Sequence, residues 1–439
     1  MITRLDPAPD PLLALAAAAD RPGTAFLDGA AEPGGMGRWS YLATDPVETV
    51  ECSANEWPAV RARIRERSLA QNADRRSTNA DPAMPPFQGG WIGWLSYELG
   101  AAFDHQPRAR HNDLHIPDIS LARYTSLIAW DHLSGAAWQI SNGDQRSEIG
   151  DRRASSDLRS PISDLSPGFT PLAYQAAVRR VIDYILAGDI YQANLSQRFA
   201  VPFAGDPLAL YLALRRRAAG SHAAFLDRGR VKVLSMSPER FLSYDPVSRH
   251  IETRPIKGTR PRDLADSAVD ASLAFELANS AKDRAENVMI VDLLRNDLHR
   301  VSRPESVVVP SLCALERHAA VHHLVSTVTA ELAPGRDALD LIEATFPGGA
   351  ITGAPKLRAM EIIAELEPVS RGVYCGAIGW IGDDGALELN IAIRTVVLTD
   401  GVATVSAGGG ITALSDPAAE HQETLDKAQA LLDALAEVA

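Results

Sequence analysis

Residues 374–407 read YCGAIGWIGDDGALELNIAIRTVVLTDGVATVSA. Apolar and polar residues alternate along much of this stretch, which is the pattern of a β-strand that buries one face. Asp-Gly pairs stand at 384–385 and 400–401. Such pairs favour two-residue hairpin turns, because glycine adopts a positive φ angle without steric cost. The stretch therefore predicts antiparallel β-hairpins.

Blocks of helices and blocks of strands precede these hairpins. Four segments carry apolar residues at the spacing of a helix: 171–187, 266–299 (one helix or two), 339–345 and 355–367. Pro355 is expected in the first turn of the last helix. Three short apolar runs nearer the N-terminus are expected to be strands: 37–43, 89–99 and 124–132. This grouping indicates an α+β fold rather than a series of βαβ units.

The chain divides by composition into three parts. Residues 1–140 form an N-terminal region, and residues 168–437 form a C-terminal region that is denser in motifs. Residues 141–167 between them are poor in large apolar side chains and are predicted to be an exposed linker. Residues 67–84 have a similar composition and are predicted to be an exposed loop.

Composition argues against several classes of protein. The formal net charge is −13, whereas nonspecific binding to nucleic acid needs clustered Lys and Arg. Cys52, Cys313 and Cys375 lie far apart and form no CxxC pair, so a reduced, cytoplasmic chain is expected. The N-terminus is a poor signal peptide, and no apolar stretch approaches the roughly 20 residues of a membrane span.

Two acidic pairs share a spacing of three residues. Glu420 and Glu423 precede Lys427, and a helix would put all three on one face. Asp283 and Glu286 have the same spacing just before an apolar run. Two such pairs can face one hard cation, because Mg²⁺ prefers a few carboxylates and keeps positions open for water and substrate. A solvated helix face with a Glu–Lys pair is the alternative for residues 420–427.

Two cations occupy positions that favour a bound ligand. Arg394 lies in the predicted strand LNIAIRT (389–395), where burial is costly unless an anion pairs with it. A guanidinium holds a carboxylate through two hydrogen bonds, although an internal salt bridge would also satisfy it. Lys257 lies between Pro255 and Gly258, which fix its backbone. In a dry pocket its pKa would fall and the amine would become a nucleophile, whereas a loop lysine in water would have no such role.

Two further segments have ordinary structural explanations. The glycines at 348–349 and 408–410 mark turns, or else let backbone N–H groups approach an anion closely. Residues 295–297 are predicted to be a polar cap at the end of a helix. The chain contains no GxxxxGK[ST] motif, so nucleotide binding has no support.

Ten segments stand in one order along the C-terminal region: GDIYQANLSQRF (188–199), SMSPERFL (235–242), RPIKGTRPR (254–262), KDRAENVMIVDLLRND (282–297), HLVSTV (323–328), FPGGAITGAPKLRAMEII (346–363), YCGAIGW (374–380), NIAIRT (390–395), AGGGIT (407–412) and EHQETLDKA (420–428). Together they resemble the chorismate-binding family, which includes anthranilate synthase component I and the isochorismate and salicylate synthases. Residues 1–140 resemble the variable N-terminal region of that family more loosely. The resemblance implies two large packed antiparallel sheets with outer helices and an active site in the cleft between them. Both regions would contribute strands.

The resemblance also implies a cofactor. Glu286 and Glu423 would coordinate Mg²⁺, and Asp283 and Glu420 would hold its water molecules. The metal would bind the ring carboxylate of chorismate, with Lys427 nearby.

The resemblance assigns the rest of the substrate site as well. Glu239 would be the acid that protonates the departing C4 hydroxyl, which is a poor leaving group. His323 would be a further catalytic residue. The enolpyruvyl carboxylate would be held by five residues: Tyr374, Arg394, Gly408, Gly409 and Gly410.

Two positions distinguish the branches of the family. Family members that add water share a general-base lysine at the position where this chain has Gln192. A glutamine cannot deprotonate water, and Gln192 is expected to bind the substrate instead. Anthranilate synthases typically carry alanine where this chain has Lys257. The resemblance therefore implies the branch that forms 4-amino-4-deoxychorismate, on the way to p-aminobenzoate and folate. Lys257 would add to C2 as the C4 hydroxyl leaves, and ammonia would then add to C4 and expel it.

The ammonia is expected to come from a separate glutamine amidotransferase subunit, since no cysteine stands in a Gly-x-Cys-x-Gly elbow. The alternatives are anthranilate synthase component I and a noncatalytic chorismate-binding subunit. Ala350 stands where relatives often have Ser or Thr, so one hydrogen bond to the ligand is expected to be missing. The segment FLDGA (26–30) lacks the LLES-type motif with which relatives bind tryptophan, and no tryptophan site is predicted.

Overall fold

The computed structural model describes residues 1–31, 37–75, 83–104, 107–109, 111–142 and 168–439, without the side chains of residues 31 and 69–75. Most of the predicted linker, 143–167, lies outside the described residues. The division of the chain at that point therefore stays a prediction.

The described residues form 21 strands: β1 (Ile2–Leu5), β2 (Ala25–Asp28), β3 (Trp39–Ala43), β4 (Glu48–Cys52), β5 (Gly90–Leu95), β6 (Ile119–Tyr124), β7 (Ser126–Asp131), β8 (Ala136–Ser141), β9 (Gln192–Pro202), β10 (His222–Arg228), β11 (Val231–Ser237), β12 (Arg240–Asp245), β13 (His250–Arg254), β14 (Ile256–Pro261), β15 (Val308–Arg317), β16 (Val321–Glu331), β17 (Gly353–Ala354), β18 (Ala377–Gly382), β19 (Leu387–Ile391), β20 (Thr395–Thr399) and β21 (Val402–Ile411).

They also form ten helices: α1 (Pro11–Ala18), α2 (Trp57–Arg75), α3 (Gly100–Asp104), α4 (Pro171–Leu186), α5 (Pro207–Arg217), α6 (Ser267–Asn279), α7 (Ala281–His299), α8 (Ala338–Thr345), α9 (Lys356–Leu366) and α10 (Pro417–Val438). Side chains cap the two helices that matter most for the site. Ser280 accepts a hydrogen bond from the backbone of α7, and Asp416 accepts two from the backbone of α10. Across the described part of the chain, the helices are all too short or too polar to cross a membrane.

The strands pair into two antiparallel sheets. The first has eleven strands in the order β1-β8-β7-β3-β2-β10-β11-β20-β21-β9-β17. The second has ten, in the order β14-β16-β13-β12-β19-β18-β5-β6-β4, with β15 paired to β16. The inner faces of both sheets share one buried apolar cluster that includes Tyr41, Trp94, Ile378 and Val397. The predicted α+β fold of two packed antiparallel sheets is confirmed.

The helices cover the outer faces of the sheets. On the first sheet, α1, α5 and α10 pack through a cluster that includes Leu15, Leu214 and Leu431. On the second sheet, α2 and α8 pack through a cluster that includes Trp57 and Leu341. Burial of these apolar stripes leaves the polar faces of the helices for solvent or for the cleft.

Chain order divides each sheet in the same way. Strands β1–β8 lie together at one end of each sheet, and the later strands lie at the other end. Each sheet thus has one seam between the two groups. The seams are β2 paired with β10 in the first sheet and β5 paired with β18 in the second.

The predicted hairpins are confirmed. The pairs at 384–385 and 400–401 lie in the turns β18–β19 and β20–β21, where Gly385 and Gly401 have φ angles of 89° and 78°. The segment 266–299 is two helices that meet at Ser280. Helix α9 begins at Lys356, so Pro355 precedes the first turn instead of occupying it.

The predicted loop at 67–84 is wrong over its first part, because α2 continues to Arg75. Trp57, Val60 and Ile64 lie at helical spacing and are buried. They anchor the start of α2, and the helix then runs on through polar residues that resemble a loop in composition alone. Residues 76–82 lie outside the described residues.

Candidate active site

The acidic pairs, Lys257 and the Gly408–Gly410 segment lie near one another in the folded chain. Helix α10 packs along β21 of the first sheet, and α7 packs against β14 of the second. The site residues on these four elements therefore come from both sheets and from the first turns of two helices.

The glycines of β21 lie directly against the acids of α10. A Cβ atom on Gly409 would stand 3.1 Å from Glu420 Oε2 and 3.7 Å from Glu423 Oε1. Lys427 Nζ lies 2.6 Å from Glu423 Oε1 and donates to the Gly408 carbonyl at 2.8 Å. The structure thus brings the glycines of β21 against side chains that follow them by 11 to 19 positions in the sequence.

The pKa values of the two acids of α10 are shifted in opposite directions. Burial raises the pKa of Glu420, and the charge of Glu423 raises it further, while a hydrogen bond of 2.6 Å from Ser415 opposes the shift. Burial also acts to raise the pKa of Glu423, but the ion pair with Lys427, together with the charges of Lys282 and Lys257, outweighs it and lowers the pKa. Glu423 is therefore the more readily ionised of the pair.

On α7, Asp283 and Glu286 face the same space. The Ser280 hydroxyl caps the helix at Asp283 N, 3.2 Å away, and Arg260 lies 3.5 Å from the Asp283 carboxylate. Burial raises the pKa of Glu286, while the charges of Lys257 and Lys282 oppose the rise. Asp283 and Glu420 add to the rise, so the acids of the two helices interact electrostatically.

Lys257 lies on β14 and points toward the loop between α8 and α9. Its Nζ donates to the Ala350 carbonyl at 3.0 Å. Burial lowers the pKa of Lys257, with a smaller contribution from Lys427, while Glu286 and Glu239 oppose the shift. Such an amine loses its proton more readily than a lysine in water, as a nucleophile requires.

Arg262 lies five residues beyond Lys257 in the sequence, but its hydrogen-bond partners belong to other elements. Its guanidinium donates to Asp270 at 2.8 Å and to the His318 carbonyl at 2.8 Å. Asp270 also accepts from His322 at 2.9 Å. Arg262 is thus occupied in pinning the β15–β16 turn to α6, and Lys427 supplies the neighbouring positive charge.

Glu239 stands in the short connection between β11 and β12. It is 5% exposed, and burial raises its pKa to about 7, against the opposing charges of Lys257 and Arg394. The backbone N–H of Ile256, one residue before Lys257, lies 3.4 Å from its Oε1. A carboxyl that holds its proton near neutral pH is suited to act as an acid.

Arg394 and Tyr374 flank the end of β19. Arg394 is not in a strand as the sequence predicts but in the bend between β19 and β20, with a φ angle of 50°. Its carbonyl accepts from Met236 N at 3.0 Å, and its guanidinium acts electrostatically on Glu239. Tyr374 is buried, and burial raises its pKa well above the usual value, so its hydroxyl stays protonated.

Gln192 begins β9 and lies over Gly410. A Cβ atom on Gly410 would stand 2.0 Å from Gln192 Nε2, so only glycine leaves room for this amide. Gln192 is 1% exposed, and its Oε1 is buried without a hydrogen-bond partner. An unpaired buried acceptor at the end of the glycine segment suits a ligand that donates a hydrogen bond.

His323 lies on β16, next to β14. Its Nδ1 is 2.9 Å from the Thr259 hydroxyl, two residues beyond Lys257, and its ring packs edge-on against His318 at 5.0 Å. The neighbouring His322 points the other way, toward Asp270, as alternate residues of a strand do.

Sequence reasoning missed two contributors to this region and gave a third residue the wrong role. The Ala350 carbonyl holds Lys257 although its side chain carries no polar group, and only the fold could reveal it. Lys282 offsets the acids of both helices, and its position four residues before Glu286 could have suggested this. Asp297 is not a polar cap: it lies inside α7, buried, and forms an ion pair with Lys356.

The donor set suits a hard divalent cation, although the acids do not yet converge on one point. Within the part of the chain that the structure describes, no three acidic, histidine or cysteine side chains lie close enough to form a ready-made metal site. Burial and the neighbouring acids Asp283 and Glu420 raise the pKa of Glu286. A cation bound among these carboxylates would relieve that repulsion.

Two packed antiparallel sheets that bring paired acids, a buried lysine and a glycine-lined strand together define an α+β enzyme of the chorismate-binding type. Residues 26–433 match the family model described as chorismate binding enzyme, and the chain belongs to that family. The predicted resemblance is therefore confirmed.

Known proteins are similar over most of their length. The chain is 42% identical over 413 residues to the aminodeoxychorismate synthase component 1 of Salmonella typhimurium, covering 91% of this chain and 90% of that protein. It is 37% identical to the anthranilate synthase component 1 of Streptomyces coelicolor, over 93% and 83% of the two chains. The crystal structure of anthranilate synthase component I from Streptococcus pneumoniae TIGR4 is similar with a TM-score of 0.72 at 30% identity, over 90% and 92% of the chains.

Proposed function

We propose that the chain is the chorismate-binding subunit of an aminodeoxychorismate synthase, which converts chorismate and ammonia to 4-amino-4-deoxychorismate for p-aminobenzoate and folate synthesis. One observation carries the proposal: the buried amine of Lys257, held by the Ala350 carbonyl, has a lowered pKa and interacts electrostatically with Glu286 and Glu239. The name of the Salmonella typhimurium relative supports the same reaction.

In the proposed reaction, Lys257 occupies C2 before ammonia can. Its neutral amine bonds to C2, the two ring double bonds shift, and the C4–O bond breaks. Glu239, protonated near pH 7, gives its proton to the departing oxygen, which leaves as water. A positioned amine outcompetes a diffusing one by an effective molarity on the order of 10⁵ M.

Ammonia completes the double displacement. It bonds to C4, the ring double bonds shift back, and the C2–N bond to Lys257 breaks, which regenerates the free amine. The new amino group therefore stays at C4. Direct attack of ammonia at C2, followed by loss of pyruvate, would instead give anthranilate.

The substrate is proposed to lie with its two carboxylates toward two cations. Arg394 would take the enolpyruvyl carboxylate with Tyr374 and the backbone of Gly408–Gly410, and Lys427 would lie near the ring carboxylate. Gln192 and His323 are proposed as further substrate-binding and catalytic side chains, respectively.

Mg²⁺ is the proposed cofactor. Glu286 and Glu423 would hold it directly, with Asp283 and Glu420 on its water molecules, which fits the mutual repulsion of these acids. When bound, the ion supplies positive charge that polarises the ring carboxylate. The ammonia donor is proposed to be a glutamine amidotransferase subunit, and the cytoplasm is the proposed compartment.

Turnover of chorismate with Mg²⁺ and an ammonium salt tests the proposal. The expected product is 4-amino-4-deoxychorismate, identified by mass spectrometry, without stoichiometric pyruvate in a coupled assay. Lys257→Ala should slow its formation strongly. Lys232→Ala removes a lysine of β11 that is paired with Asp227 of β10, and it should leave the rate unchanged. Anthranilate and pyruvate as main products would favour the anthranilate synthase alternative. Absence of any turnover would favour a noncatalytic chorismate-binding subunit.

A further inference from the structure

Arg371 lies just after α9, and its side chain is 2% exposed. Its guanidinium holds both oxygens of Glu367, at 2.8 Å from Nε and 2.7 Å from Nη2. The face of the guanidinium lies over the Tyr97 ring, 4.5 Å from its centre. A buried charge is tolerated only when it is fully paired, and these contacts provide most of that pairing.

The remaining donors of Arg371 reach two backbone carbonyls of the site. Nη1 donates to Ile351 at 2.9 Å, and Nη2 donates to Asn194 at 2.5 Å. Ile351 belongs to the loop between α8 and α9, and Asn194 lies on β9, opposite Gly410 of β21. One side chain therefore joins the loop to the strand beside the glycine segment.

Glu367 extends the same connection along β9. Its Oε1 accepts from the backbone N–H and from the hydroxyl of Ser196, both at 2.8 Å. Ser196 lies opposite Gly408 of β21. The Arg371–Glu367 pair thus fixes β9 at two places that adjoin the proposed carboxylate-binding glycines.

The loop that Arg371 holds is the one that orients Lys257. Ala350 immediately precedes Ile351 within a single turn of 3-10 helix, Gly349–Ile351. The Ala350 carbonyl accepts the hydrogen bond from Lys257 Nζ at 3.0 Å. A shift at Ile351 therefore moves the acceptor that sets the direction of the amine.

We propose that Arg371 is a positioning residue for Lys257, acting through the Ile351 and Ala350 carbonyls rather than by contact with the substrate. This inference rests on the proposed role of Lys257. The proposed role requires the geometry of an arginine and not only its charge. A lysine at position 371 would keep the positive charge but would lack the planar guanidinium that reaches Glu367 and both carbonyls at once.

A double-mutant cycle tests the inference. In the wild-type background, Arg371→Lys should lower the single-turnover rate of chorismate amination by about 30-fold, since a misplacement of about 1 Å can cost on the order of 100-fold. The KM for chorismate should change by less than about threefold, because the binding residues remain. In the Lys257→Ala background, the same substitution should change the residual rate by less than about twofold.

Two further variants control the cycle. Arg123→Lys alters another buried arginine, paired with Asp383 at 3.0 Å in the seam region, and should lower the melting temperature without changing the rate. Glu367→Gln keeps the shape of the acceptor and replaces Arg371→Lys in the cycle should the latter not fold.

The outcomes separate the two proposals. Equal rate losses in both backgrounds, or an unchanged rate in Arg371→Lys, would overturn the positioning role while leaving Lys257 as the nucleophile. Full activity in Lys257→Ala alone would overturn the proposed function of Lys257, and the inference about Arg371 with it.

Discussion

Helices α7 and α10 each carry two acids three residues apart, yet the two pairs are neutralised in different ways. On α10 the cation comes from the helix itself, because Lys427 lies one turn beyond Glu423 and 2.6 Å from it. On α7, Lys282 and Lys257 act on Glu286, and the second of these belongs to β14. The pKa of Glu423 is lowered, whereas that of Glu286 is raised.

The difference shows what spacing can and cannot predict. A spacing of three residues places two acids on one face of a helix. It says nothing about which charges stand opposite, and those charges decide whether a carboxylate is readily ionised. The largest opposing charge on Glu286 is that of Lys257 on β14, whereas the largest on Glu423 is that of Lys427 on the same helix.

The largest expected effect comes from removing one anionic ligand from either helix. Glu286→Gln and Glu423→Gln should each lower the amination rate by more than about 100-fold, beyond the loss typical of residues that only support a metal ligand. Rates measured across a range of Mg²⁺ concentrations check this. Asp292→Asn, on the exposed side of α7, is the matched control and should keep the wild-type rate. Wild-type rates and Mg²⁺ dependence in either Gln variant would refute the metal assignment.

A third carboxyl sharpens the comparison, because Glu239 is buried but belongs to neither helix. Its pKa in the folded protein is about 7, above the usual 4.5. The stability that protonation of Glu239 contributes to the folded state is therefore fully present below about pH 4.5 and is lost as the pH rises through 7. Between pH 5 and pH 8 the wild type should lose about 2 kcal/mol of stability relative to Glu239→Gln. Urea unfolding of both proteins at the two pH values measures this difference. An identical pH dependence in the two would contradict the raised pKa.

A smaller effect is expected from the hydroxyl that supports α10. Ser415 donates to Glu420 and holds its pKa down, so Ser415→Ala should raise that pKa further and weaken Mg²⁺ binding by about tenfold. The loss should grow as the pH falls, because protonated Glu420 cannot help to hold a cation. Calorimetric titration with Mg²⁺ at two pH values tests it. Unchanged affinity at both would separate Glu420 from the metal site.

The smallest effect concerns the start of α7. Ser280→Ala removes the hydroxyl that caps Asp283 N and should cost about 1 kcal/mol of stability. Ser280→Thr keeps the hydroxyl and should cost less. Chemical denaturation of the three proteins provides the comparison, and an alanine variant as stable as the wild type would show that the cap is dispensable.

Much of the fold could be predicted from local signals. The Asp-Gly turns of the C-terminal hairpins need glycine at positive φ, and this requirement is visible in the sequence. The end of α2 was missed because the apolar residues at helical spacing, which are buried, lie in its first turns, while the sequence of its last turns is polar and has no apolar pattern. Local patterns thus predict elements that carry an apolar stripe and fail where a helix continues through polar residues.

The candidate site was predictable residue by residue but not as an arrangement. Glu239, Lys257 and Glu286 could be chosen from motifs, yet their pKa values depend on burial that no motif records. Arg394 was misplaced in a strand because a bend with a positive φ at an arginine has no sequence signal. The roles of the Ala350 carbonyl and of Arg371 could not be predicted from the sequence, because backbone acceptors and buried ion pairs form only when the chain is folded.

The seams between the early and late strands separate the part of the chain that carries the proposed site residues from the part that does not. Every proposed site residue lies on the late side of both seams, whereas the strands before residue 142 supply the other end of each sheet. Two separately made pieces would therefore carry matching edges: four residues of β2 for β10, and six of β5 for β18. The protein is in this sense a natural candidate for fragment complementation, in which the piece that carries the site residues lacks eight of the 21 strands until the other piece binds.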